Sequence, residues 1–189
     1  MRPFFRLFRF SLVAASLMLL LPAAFVNAQR QVRDPLTQAQ AEEIAKAGID
    51  PNERVHLYTR YLDDHAGTIK SLAKRADTRA RNDLMANDLE DFADLMDELG
   101  SNLDVYSDRK ADIRKMLKPL NEAIQRWQAM LNGLPSESTF DLARTDALDS
   151  SNDLADQAKQ LMQDQDQYFK EHKDQAGQER HVPTRDSGR

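Results

Sequence analysis

Apolar residues recur along this chain in alternating steps of four and three. From Met85 the steps land on Leu89, Phe92, Met96, Leu99, Leu103, Tyr106, Lys110, Ile113, Leu117, Leu120, Ile124, Trp127, Leu131 and Leu134. Lys110 alone in that series is not apolar. With 41% of residues hydrophobic, a run this long is not a product of composition. The spacing lays one stripe along one side of a helix. Such a stripe faces partner helices. Leu95, Met116, Ala123 and Met130 widen it on one side, which suits a globular bundle better than a two-stranded coil. The unbroken register predicts one helix from about Arg81 to Asn132, passing through Gly100 and kinked near Pro119, where a backbone donor is missing. A turn at Gly100 is the alternative.

Shorter patterns flank it. Leu36 to Ala47 predicts a short helix ended by Gly48. Asp50-Pro51-Asn52-Glu53 reads as a helix start, with Asp50 as cap and Pro51 in the first turn. Val55, Tyr58, Leu62, Ile69, Leu72 and Ala76 then form a stripe whose missing slot is His65, read as a half-buried packing residue. The register slips between Ala76 and Met85, through either a tight turn or a stutter. Gly133-Leu134-Pro135 is a stop. Ser138 and Asp141 suggest a cap for a helix over Phe140 to Leu148, and Ser150 and Asp153 one for a last helix, roughly Ser151 to Lys173. Leu154, Ala158, Leu161, Met162, Tyr168 and Phe169 form its apolar face. The fold class expected is all-α, a bundle of long amphipathic helices with coiled-coil-like packing.

The first residues do not belong to that bundle. Arg2, Arg6 and Arg9 precede the apolar run Ser11 to Leu21, and Val26-Asn27-Ala28 offers small residues at a cleavage site before Gln29. This is the layout of a secretory signal peptide. The run is too short for a spanning helix, which needs about 20 residues. The organisation expected is therefore a signal peptide over 1–28, a disordered lead-in over 29–35, a helical domain over 36–173 and a disordered tail over 174–189. The location expected is periplasmic or secreted, with no stable membrane insertion once the signal is removed.

The chain has no cysteine, so packing alone must hold the fold. Its net charge of −5 becomes more negative when the three signal arginines leave, which argues against nucleic acid as a partner. The charges are segregated. Lys70, Lys74, Arg75, Arg79 and Arg81 form one basic block. Nine acids follow between Asn82 and Asp108 with no lysine or arginine among them, and Arg109, Lys110, Arg114, Lys115 and Lys118 restore positive charge. The plainer reading is internal, with acidic and basic faces side by side fixing helix register. The functional reading is an acidic strip presented to a cationic or unfolded protein.

Motifs for chemistry are sparse. Glu53-Arg54-Val55-His56 has the spacing used by di-metal bundles, but no second motif accompanies it. Asp149 to Asp153 and Asp164-Gln165-Asp166 lack the glycine and distal glutamate of a calcium loop. No nucleophile elbow, zinc-protease motif or phosphate loop occurs. No catalytic, cofactor-binding or metal-ligating residue is nominated, and no cofactor is expected. The general layout is similar to that of small periplasmic helical chaperones, a resemblance of architecture that transfers no residue. The expectation is an exported, non-enzymatic protein acting by protein–protein contact, chaperone-like or scaffolding, with oligomer formation open. The alternative is a small-ligand or metal-binding bundle. The register further places Trp127 and Leu99 inside, and Asp88, Asp91, Asp94, Asp97 and Glu98 outside.

Overall fold

The computed structural model describes residues 34–177. The signal segment, the lead-in up to residue 33 and the tail beyond 177 lie outside the described residues. Five helices follow in order: α1 (Gln38–Lys46), α2 (Pro51–Ala73), α3 (Arg79–Asp108), α4 (Arg114–Asn132) and α5 (Asp141–Glu171), then a 3₁₀ turn at Lys173–Gln175. The described residues contain no strand, and the class is all-α. Local chemistry sets the starts. Thr37 and Gln40 form a reciprocal capping box on α1. The Asp50 carboxylate accepts the N–H groups of Asn52 (2.9 Å) and Glu53 (3.2 Å), with Pro51 at the first helical position. Gly48 ends α1 at φ +61°, where a side chain would be strained.

The four long helices bury a single core in which Leu99, Leu103, Leu117, Trp127 and their neighbours on the stripe are essentially inaccessible. Around the bundle the order is α2, α3, α5, α4, so α3 and α4, consecutive in sequence, lie on a diagonal. Side-chain bonds give the directions. His65 with Asp88 and Arg54 with Tyr106 make α2 and α3 antiparallel. Gln128 with Asn152 and Ile113 with Gln165 make α4 and α5 antiparallel. Arg81 with Glu137 and Asp104 with Gln157 show that α3 and α5 run parallel. The chain is thus two helical hairpins joined across one end of the bundle. Across the core diagonal, Trp127 meets Phe92 edge to face, with ring centroids 5.8 Å apart.

The single long helix expected over 81–132 does not form. Gly100 and Pro119 do lie inside helices, but the chain breaks at residues 109–113. Lys110, the one polar position of the stripe, takes φ +52°. Its N–H donates to the Ser107 carbonyl at 3.0 Å, and the Ala111 N–H donates to the Tyr106 carbonyl at 2.9 Å. That pair of bonds is a Schellman turn, with lysine where glycine is usual. The crossing is held from three sides. Buried Gln165 of α5 donates to the Ala111 carbonyl (2.7 Å) and accepts from the Ile113 N–H (3.1 Å). Asn52 of α2 donates to the Asp112 carbonyl (2.8 Å). The Gly177 N–H donates to the Asp112 carboxylate (3.0 Å), so residues 173–177 fold back on this end.

One other expectation changes, and one open alternative is decided. The helices expected over 140–148 and 151–173 are one helix, α5, and neither the cap expected of Ser138 and Asp141 nor the box expected of Ser150 and Asp153 forms. Phe140 occupies the cap position without a side-chain bond. Ser151 sits fully buried in the middle of α5, its hydroxyl donating to the Leu148 carbonyl at 2.7 Å. The register slip after Ala76 is a turn: α2 ends at Ala73, Thr78 caps α3, and Ala76 is exposed between them.

At Gly100, α3 packs against the Gln157 side chain of α5. A Cβ there would lie 3.0 Å from the Gln157 amide oxygen. The same Gln157 side chain donates to the Gly100 carbonyl at 2.9 Å.

Candidate functional site

The ring order decides what becomes of the segregated charge. α3 carries nine acids and two arginines; α5 carries eight acids and three basic residues. These two helices are neighbours. α4, with four basic residues and one acid, lies diagonal to α3 and shares no seam with it. The α4 part of the basic block, Arg114, Lys115 and Lys118, therefore does not lie along the acidic strip, whereas Arg109 and Lys110 sit at the C-terminal end of α3 itself. Arg114 of the block pairs instead with Asp112, two residues away, at 2.7 Å. Across the α2 seam, Asp88 pairs with His65, and Glu98 accepts the Tyr58 hydroxyl. Burial, and then the Glu98 carboxylate, push the Tyr58 phenol well above its ordinary range. Asp97, Glu98, Asp104 and Asp108 are exposed and make no ion pair with lysine or arginine among the described residues. They line α3 as an acidic ridge, with Glu98 bonded to α2 and Asp104 to α5.

Where α2 meets α3, a cleft of about 400 Å³ opens under the segment leading into α1. Its walls carry Asp34, Asp64, His65, Asp88 and Asp91, and no lysine or arginine lines it. Asp88 and Asp91 are half-buried here, where the register placed them on the outside. His65 keeps its expected half-buried position and gains a specific partner: its Nδ1 lies 2.8 Å from the Asp88 carboxylate. Burial disfavours the imidazolium. The Asp88 hydrogen bond, the charges of Asp88 and Asp91, and a backbone hydrogen bond to Pro35 outweigh it, and the His65 pKa is raised above its ordinary 6.5. A raised folded-state pKa adds stability below about pH 6.5 that is lost as pH climbs through the raised value. Denaturant unfolding followed by Trp127 fluorescence at stepped pH should show this decline from near neutrality upward. It should be absent in His65→Gln. An equal decline in that variant would remove His65 as its source.

The remaining polar features read as structural. The Arg81 guanidinium is 7% exposed, 3.1 Å from Glu137 and over the Phe140 ring, joining the start of α3 to the α4–α5 connection. Glu53 and His56 both face solvent. The acids of 149–153 and 164–166 lie within helical turns of α5, not in loops. A groove of about 490 Å³ between α4 and α5 has Lys118, Lys159, Glu122 and Asp156 on its rim. Among the described residues, no group of three or more His, Asp or Glu is placed to hold a metal ion, and no helix is long and apolar enough to cross a membrane. No protein-family model, curated protein or solved structure matches this chain.

The residues brought together in the cleft were not assembled by sequence reasoning. His65 and Asp88 lie on different helices whose antiparallel register depends on a turn at 74–78 that no glycine or proline marks. The signal that did exist was His65 itself, a titratable residue filling an apolar slot.

Proposed function

We propose that this is an exported helical-bundle protein that acts by contact with a cationic protein surface and not by catalysis. The observation that supports this reading is the adjacency of α3 and α5. Two parallel, strongly acidic helices side by side repel each other and sum their fields outward, at a cost to the bundle. An arrangement that only fixed register would place α3 beside α4. A persistent negative face speeds encounter with positively charged segments and suppresses other partners. A chaperone-like or scaffold role in the cell envelope suits such a face, because exposed basic segments of unfolded proteins would be drawn to it. Location outside the cytoplasm rests on the signal-peptide pattern of residues 1–28.

Replacing Asp97, Asp104 and Asp108 together by asparagine tests the reading. Surface changes of this kind stay near ±0.5 kcal/mol each, roughly, so the fold should persist. Association with a basic unfolded polypeptide such as polylysine should slow, and added salt should reproduce the effect in the unmodified protein. Equal association rates for both proteins at low and high salt would end the proposal.

A further inference from the structure

We infer that a second copy of this chain can supply the α4–α5 hairpin, so that two chains exchange hairpins by straightening residues 109–113 into one helix from α3 to α4. The α2–α3 and α4–α5 hairpins are each local in sequence. Between them runs one connection of five residues, Arg109-Lys110-Ala111-Asp112-Ile113. That connection contains no glycine and no proline, and arginine, lysine and alanine are good helix formers. The apolar spacing also passes through it without a shift: Leu103, Tyr106, Lys110, Ile113, Leu117. A loop that never straightens has no reason to keep helical register, because its length and residues are free to drift. A helix that does straighten needs that register to keep both halves of its stripe on one side.

The turn itself stores the bias. Lys110 at φ +52° occupies a backbone region that costs a residue with a Cβ, and a straight helix relieves it. In the folded-back form the Ala111 carbonyl and Ile113 N–H depend on Gln165 for partners. In a continuous helix both are satisfied by bonds four residues along the chain. The α3–α5 and α2–α4 interfaces are the same in either form, made within one chain or between two. The balance is therefore set by the hinge and by concentration, the condition under which hairpin exchange is a low-cost route to a dimer. The straightened helix over 79–132 is about 80 Å long, enough to place one bundle at each end.

The native chain has no cysteine, so a single introduced pair reports which chain each hairpin comes from. Asp104 and Gln157 are hydrogen-bonded across the α3–α5 interface. Asp104→Cys and Gln157→Cys in one chain should crosslink within the monomer, and between chains in the exchanged dimer. The protein is unfolded and refolded at high concentration, separated by size and oxidised. The inference expects a dimer fraction crosslinked between chains. Lys110→Leu, which completes the apolar stripe and leaves the left-handed penalty of the turn in place, should raise that fraction. Lys110→Gly, which removes that penalty from the turn, should lower it about tenfold. Only monomers with internal crosslinks from both the wild type and Lys110→Leu would overturn the inference. A dimer with solely internal crosslinks would do the same. Should Lys110→Leu fail to fold, the comparison of wild type with Lys110→Gly decides.

Discussion

Leu99→Ala should lower the unfolding free energy by about 2–5 kcal/mol. Leu99 has no accessible surface and lies in the middle of α3, where the core is lined by Phe92, Met96, Leu103 and Trp127. Alanine removes the buried methyl groups and leaves a cavity that surrounding helices cannot fully close. The position is pinned at the following residue, Gly100, where Gln157 holds the α3 backbone against α5. Collapse by a shift of α3 is therefore resisted, which favours the upper part of the range. Urea unfolding measures the loss. A value below about 0.5 kcal/mol would mean that Leu99 behaves as a surface position.

Gln165→Leu should cost a comparable amount for a different reason. Gln165 is 5% exposed, and leucine fills about the same space, so packing changes little. What disappears is the pair of bonds to the crossing between α3 and α4. The Ala111 carbonyl and the Ile113 N–H lose their partner, and each buried unsatisfied group costs about 1–3 kcal/mol. The combined loss should fall near 2–5 kcal/mol. It should be measured at low protein concentration, where exchange with a second chain cannot supply helical partners for those groups. Unchanged or increased stability would show that the crossing does not depend on Gln165.

Much of the bundle was legible from periodicity. The stripe from Met85 to Leu134 is buried almost throughout, and the starts at Asp50-Pro51 and the stops at Gly48 and Gly133 lie where capping chemistry put them. The break at 109–113 was hidden because its turn uses lysine where glycine would have announced it. The unity of α5 was hidden because its inward face includes Ser151 and Gln165, polar residues at core positions, each satisfied by a carbonyl that only the fold reveals. The acidic strip was visible in composition. Its surroundings were not, because neighbours in a bundle follow the path of the chain, and here the path crosses a diagonal. Asp88 illustrates the same gap. Periodicity placed it outside the core, but the segment leading into α1 covers it.

Trp127 is the only tryptophan in the sequence. Its indole N–H donates to the Asp63 carboxylate of α2 at 2.8 Å, its ring meets Phe92 of α3, and its backbone belongs to α4. One natural fluorophore therefore senses three helices at once. Its emission should lie to the blue in the folded protein and shift to the red when any one of those helices departs. Hairpin exchange keeps all three neighbours in place, so the same light follows folding and is blind to which chain each helix belongs to.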